Sequence, residues 1–167
     1  MLVLIRGAGD LASGVALRLC RAGLAVVMTD LPQPTAIRRT VCFSQAIRFG
    51  ETTVEDVTAV LAKTPEDVKK ALLGGKIPVL ADPEARCRAW LRPDALVDAI
   101  LAKKNLGTKI TDAPIVIGVG PGFCAGRDCH AVVETMRGHT LGSHLPKHIL
   151  QHQASYTKLG TSIREFY

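Results

Sequence analysis

The stretch Leu2–Gly14, LVLIRGAGDLASG, decides the fold. The apolar run Leu2 to Ile5 has the length of a buried strand and leads straight into Arg6 and a glycine-rich turn. Gly7, Gly9 and Ala12 fit the spacing G-x-G-x-x-A, placed after a strand and before a helix. In that setting the first glycine makes the tight turn and the second lets a pyrophosphate reach the backbone. The small third residue lets helix and strand pack closely. From Leu11 onward, Leu11, Val15 and Leu19 recur at helical spacing, with Ala12, Ala16 and Cys20 beside them, and Gly23 is a stop. Ala25 to Met28 is a second buried strand ending at Thr29-Asp30. The unit is β-α-β, of a size for a parallel crossover. The expected fold class is therefore α/β, Rossmann-like, with a largely parallel sheet.

Free N–H groups and the dipole at the start of a helix favour an anion, so the Gly7–Ala12 turn is the candidate binding turn. Asp30, about 20 residues on, stands where a carboxylate accepts from ribose hydroxyls. Asp10 complicates this picture, because a carboxylate at the mouth of an anion site repels a pyrophosphate. It reads either as the helix N-cap, using the N–H groups a phosphate would use, or as a contact to a metal or a polar substrate. Arg6 puts a cation at the carboxyl end of a central strand, where ligands of such sheets bind; the alternative is an ion pair with Asp10 or Asp30. Arg38 and Arg39 follow Asp30 closely enough for one of them to face a ribose phosphate.

Further along, LPQPTAIRR (31–39) is a proline-broken loop with a short helix over Thr35 to Arg39, and VCFSQAI (41–47) reads equally as a strand or a half-turn. ETTVEDVTAVLA (51–62) is a hairpin about Glu55-Asp56. TPEDVKKALLGGK (64–76) is a helix with Thr64 as cap, Pro65 at its first position and Gly74-Gly75 as its stop. IPVLADP is a strand; DALVDAIL reads as helix or strand and is taken as a strand, followed by a loop AKKNLGTKITDAP. PIVIGVGPGF runs from a strand into a second glycine-rich turn, and CHAVVETMR alternates and is expected to pair antiparallel.

Both glycine-rich turns follow buried strands, so they are expected to meet at the carboxyl edge of the sheet. There Arg6, Arg38 or Arg39, and Arg127 would clamp an oxyanion, with Gly122 and Gly126 supplying unusual backbone angles. The bland alternative puts Arg127 on an exposed turn, paired with Asp128. Cys124, Cys129 and His130 are not spaced as a CxxC and have no fourth ligand nearby, so no metal site is expected. His144, His148 and His152 would share one helix face but read as a solvated tail. Lys103 and Lys104 read as a phosphate contact or a solvated loop. Asp82 and Asp112 are available as acid or base groups, with nothing in the sequence to single them out.

Composition narrows the function classes. Hydrophobic residues make up 47% but aromatics only 4%, so Ala, Val, Leu and Ile build the interior. The net charge of +6 is scattered, and one Trp and two Tyr offer little stacking surface, which argues against nucleic acid. No apolar run reaches the roughly 20 residues of a membrane span. The N-terminal run is too short for a signal peptide, and five cysteines without a CxxC pair suit a reducing compartment. A cytoplasmic protein is expected.

Taken together, IRGAGDLASGVALRL, TDLPQPTAIRRTVCFSQAI, GKIPVLADPE, LVDAILAKKNLGT, APIVIGVGPGFCAGRDCHAVVETMRG and HTLG resemble the YqeB-type family of selenium-dependent molybdenum hydroxylase system proteins. The resemblance runs nearly continuously from Leu2 to Gly142, which gives a Rossmann-like domain over 1–142 and a divergent tail over 143–167. Family members continue beyond this point into a small β domain, and Cys124 stands where they are expected to carry a hydroxyl. The resemblance implies a bacterial accessory protein in the maturation of molybdenum hydroxylases such as xanthine dehydrogenase, with proteins of that system as partners. It carries over no catalytic residue. The expected ligand is a small anion, either NAD(P), another nucleotide or a molybdopterin group. The alternatives are an NAD(P)-dependent oxidoreductase, or a non-catalytic scaffold if Asp10 fills the anion site. Whether the chain is an enzyme and whether it forms a homo-oligomer stay open at this point.

Overall fold

The computed structural model describes residues 1–133 and 135. Its elements run β1 (Leu2–Arg6), α1 (Asp10–Arg21), β2 (Ala25–Asp30), a 3-10 turn (Arg39–Val41), α2 (Gln45–Phe49), β3 (Glu51–Val54) and β4 (Val57–Leu61). They continue through α3 (Pro65–Leu73), β5 (Ile77–Ala81), α4 (Arg88–Leu91), β6 (Ala95–Asp98), β7 (Ile115–Val119) and β8 (Ala131–Val133). The strands form one eight-stranded sheet in the order β3-β4-β5-β2-β1-β6-β7-β8. From β5 to β8 all neighbours are parallel. Counted by themselves, these six strands follow the doubly wound order 3-2-1-4-5-6, so the sheet is Rossmann-like. The β3–β4 hairpin extends it past β5 and is the one antiparallel pair among the described residues.

Both faces of the sheet are covered, as a parallel sheet requires. β1 sends Val3 and Ile5 to the side of α1 and α2, where they meet Ala12, Ala16, Leu17, Phe43 and Ala46. Leu4 faces the other way, toward Val68 of α3 and Leu91 of α4. The helix residues against the sheet beside the glycine turn are small: Ala12, Ser13 and Ala16 are fully buried. That lets the start of α1 lie close over β1.

α3 forms as its signals require. Thr64 Oγ1 accepts from the N–H of Asp67 at 3.2 Å, and Asp67 accepts from the N–H of Thr64 at 3.0 Å, a reciprocal cap with Pro65 behind it. The hairpin turns at Glu55, which takes φ 54. The undecided VCFSQAI is the 3-10 turn followed by α2. It is docked on the glycine turn by its own backbone: Phe43 donates to Ser13 Oγ at 2.9 Å and Ser44 to the carbonyl of Ala8 at 2.9 Å. The short helix expected over Thr35 to Arg39 is absent, and the 3-10 turn starts only at Arg39.

One orientation differs from expectation. The C-terminal strand β8 pairs parallel with β7, Ile117 opposite Ala131, not antiparallel. Alternation fixes which face a side chain takes and says nothing about direction. The chain uses Gly120, Gly122 and Gly126, all at positive φ, to turn back before β8 starts in the same sense. Residues of the expected tail, including His144, His148 and His152, lie outside the described residues.

Candidate functional site

The strand order reverses at β1, which has β2 on one side and β6 on the other. Ligands of open α/β sheets bind outside the carboxyl ends of the strands at such a point. Here a crevice of about 340 Å³ opens, lined by Gly7, Gly9, Asp10 and Ala12 of the first turn, Asp30 at the end of β2, and Ala99 to Leu101 after β6. That volume is at the lower end for small-molecule sites.

The two glycines have different reasons to be glycine. Gly7 takes φ 103, and a Cβ there would lie 2.9 Å from the carbonyl oxygen of Ala99. Its N–H donates to the carbonyl of Thr29 at 2.8 Å. Gly7 therefore lets the turn pass between the ends of β2 and β6. Gly9 has an ordinary φ of −69, and a Cβ on it would meet nothing within 4 Å. That leaves open space over the backbone at the start of α1. Leu101, also on the crevice wall, sits at φ 60, a conformation uncommon for leucine.

Asp30 ends β2 as expected, but its carboxylate already supports the turn. Oδ2 accepts the N–H of Ala8 at 2.9 Å and Oδ1 that of Leu31 at 2.7 Å. Burial pushes its carboxyl above the usual aspartate range, and the two backbone donors act against that shift.

Arg6 is not a ligand cation in this arrangement, and its partner is neither Asp10 nor Asp30. Its side chain points to the α3–α4 side of the sheet, where Nη1 pairs with Asp98 of β6 at 3.3 Å; the two side chains are 8% and 2% exposed. Nη1 also donates to Thr108 Oγ1 at 2.7 Å, and Thr108 in turn donates to Asp98 Oδ2 at 2.5 Å. Nε and Nη2 both donate to the carbonyl of Pro83, and Nη2 also to that of Leu106. All five guanidinium N–H groups are committed. The network ties β1, β6 and the loops after β5 and β6 together behind the crevice.

Asp10 is the first residue of α1 rather than its N-cap, which is Gly9. Even so, its Oδ1 accepts the N–H of Leu11 at 2.9 Å, and its Oδ2 pairs with Arg38. The expectation of an Asp10 N-cap is therefore not met: Gly9 holds the cap position, and Asp10 takes only the N–H of its neighbour Leu11. Arg38 reaches the site only through Asp10, while Arg39 is exposed at the start of the 3-10 turn.

The second glycine-rich turn leaves the same edge of the sheet, since β1 and β7 both run in the parallel set. It does not reach the crevice. Gly122 packs on Lys104, 2.6 Å from its Cα were a Cβ present, so the turn backs the loop that forms the crevice wall. Gly126 and Arg127 lie apart from the crevice as well. Arg127 is exposed and makes two bonds to its neighbour Asp128, at 3.0 Å each. This pairing raises the Arg127 pKa and holds the Asp128 carboxyl below its ordinary value. The clamp of Arg6, Arg38 or Arg39, and Arg127 is not assembled.

The remaining candidates have structural partners. Asp82 accepts the N–H of Cys87 at 2.7 Å, and Asp112 pairs with Arg88 at 3.1 Å. His130 Nδ1 accepts the N–H of Val116 at 2.9 Å. Lys103 and Lys104 are exposed. Among the described residues no three His, Cys, Asp or Glu side chains are placed to hold a metal ion. No helix among them is long and apolar enough to cross a membrane. Sequence reasoning missed Thr29, Leu101 and the Arg6–Asp98–Thr108 network; the Asp at the end of DALVD was the available signal, since it ends a strand as Asp30 does.

The chain is 57% identical over 141 residues, 84% of its length, to the protein of Escherichia coli (strain K12) named "Uncharacterized protein YqeB". It spans 26% of that relative, about a quarter of its length. No family model matches the chain. No solved structure matches it either.

Proposed function

We propose that the crevice at the β1 turn binds a nucleotide-type ligand and that the chain acts as an accessory component of a molybdenum hydroxylase system in the bacterial cytoplasm. The observation that carries the ligand reading is the open space over Gly9, at the start of α1 and at the point where the strand order reverses. Asp30 lies about one strand and one helix further on, and each of its oxygens keeps a lone pair for a sugar hydroxyl. The accessory role rests on the resemblance over residues 2–142, and the YqeB homologue supports that kinship without adding a role. A scaffold with no ligand is the second reading, favoured by one observation: Asp10 already takes the N–H of Leu11.

Calorimetry with NAD, NADP, ATP and a molybdopterin nucleotide tests the ligand reading. Saturable heat with at least one is expected; no heat with any of them favours the scaffold. Deleting the gene and assaying xanthine dehydrogenase tests the role. Activity is expected to fall, and unchanged activity refutes the assignment.

A further inference from the structure

Trp90 is the single tryptophan of the chain, and it stays out of the core, 44% exposed on α4. It stands between two hollows that share it and Pro65. One, of about 920 Å³, opens beyond the ends of β4 and β5 and is lined there by Leu61, Ala62, Leu80 and Ala81. The other, of about 370 Å³, lies between α3 and α4. Pro65, Lys69, Leu72 and Leu73 recur at helical spacing along α3, so one stripe of that helix borders the trench, and Leu73 at its end is 81% exposed. Apolar residues scattered singly over a surface are ordinary, but a tryptophan, a proline and two leucines along one trench are the mark of an interaction site. Small-molecule sites run to about 1,000 Å³, and the two hollows together exceed that, which suits a length of polypeptide. The charges on the trench are of two kinds. Arg86 is bonded to Glu84, and Asp82 takes the N–H of Cys87. Lys63 in one hollow and Lys69 in the other are exposed and have no carboxylate partner among the described residues.

We propose that the trench between α3 and α4 is a docking surface for a partner protein, which lays into it a segment of apolar side chains flanked by carboxylates. Trp90 and Leu73 are the apolar anchors, and Lys63 and Lys69 are the charge contacts. Tryptophan is enriched among the few residues that dominate interface energies, because it buries a large rigid area and keeps an N–H for a partner. An apolar centre with a polar rim is the common anatomy of such surfaces. Two unpaired ammonium groups on the rim, in a chain of net charge +6, select an acidic partner over a basic one. The proposal stands independently of the ligand reading of the crevice at β1.

The test is a titration of the ¹⁵N-labelled chain with a synthetic peptide of leucines flanked by glutamates, followed in the N–H spectrum. With one tryptophan in the chain, the indole N–H signal reports on the trench alone. Saturable shifts are expected at that signal and at the amides of Lys63, Lys69, Leu72 and Leu73. A twin peptide with lysines in place of the glutamates is expected to bind about tenfold more weakly, since each exposed ion pair is worth up to about fivefold. Lys63→Gln/Lys69→Gln should weaken the acidic peptide about fivefold and leave the twin no weaker. Leu73→Ser should weaken the acidic peptide about tenfold at an unchanged denaturation midpoint, because the side chain is exposed in the free chain. Equal binding of the two peptides, shifts outside the trench, full binding by Leu73→Ser, or no binding of the acidic peptide overturns the proposal.

Discussion

Replacing Arg6 by Met should unfold the chain more readily without acting through any ligand. Met keeps an unbranched apolar stem but ends short of the guanidinium, and so removes the cation beside Asp98, whose side chain is 2% exposed. Asp98 would keep only Thr108 and the N–H of Ile100, and the carbonyls of Pro83 and Leu106 would lose their donor. Breaking one side of a buried pair costs about 3–5 kcal/mol, a large share of the roughly 5–15 kcal/mol that holds a domain folded. With a slope of about 4 kcal/mol per molar guanidinium, the unfolding midpoint should fall by about 1 M. The double variant Arg6→Met/Asp98→Leu removes the stranded carboxylate as well. It should recover at least about 1 kcal/mol of the loss, because an apolar replacement of both partners is far less costly than an orphaned charge. Equilibrium denaturation of the three proteins checks this. If Arg6→Met unfolds within about 1 kcal/mol of the wild type, or the second change adds to the first, the network is not what positions β1 against β6.

Gly7→Ala and Gly9→Ala should separate structure from binding: the first forces φ 103 and a 2.9 Å contact on Ala99 and should cost about 2–3 kcal/mol in denaturation. The second, in open space at φ −69, should leave stability within about 0.5 kcal/mol and weaken binding of a nucleotide in calorimetry. For Asp30 the folded carboxyl titrates above its unfolded value of about 3.9, so the folded state holds that proton more tightly. Its contribution to stability is present below that value and is lost as pH rises through the folded pKa. Thermal melts should therefore show the wild type gaining on Asp30→Asn between about pH 7 and pH 3.5, and a wild type that loses ground on acidification contradicts this. Burial pushes the Cys87 thiol up to about 12 and that of Cys129 up to about 11. Mass spectrometry after iodoacetamide at about pH 8 should find both unmodified in the native chain and modified in denaturant, with half-exposed Cys124 labelled first.

Local signals were legible wherever they were redundant. β1, α1 and β2 announce themselves by an apolar run, a glycine turn, a helical period and a terminal acid, and α3 by Thr64, Pro65 and Asp67 acting together. The hairpin followed from alternation on both sides of Glu55-Asp56. What was not legible depends on partners far away in the chain. Nothing near Arg6 says that it will meet Asp98 and Thr108, which lie 92 and 102 residues on. The direction of β8 depends on how an eleven-residue loop of three positive-φ glycines turns, and a period-two pattern is blind to that. The reading of Gly7 was right in kind, a tight turn, but its close contact is with Ala99, just after a strand the motif does not mention. Arg127 was ambiguous because Asp128 beside it offers a local partner, and the local partner prevails.

The claim that matters most is that the crevice at the strand-order reversal is where this chain binds. Amide spectra of the ¹⁵N-labelled chain, recorded as a nucleotide is added, test it residue by residue. The account predicts shifts concentrated on Gly9 to Ala12, Asp30-Leu31 and Ala99 to Leu101. Shifts confined instead to the groove of about 920 Å³ between Lys63 and Trp90, or spectra that do not change at saturating nucleotide, would contradict it.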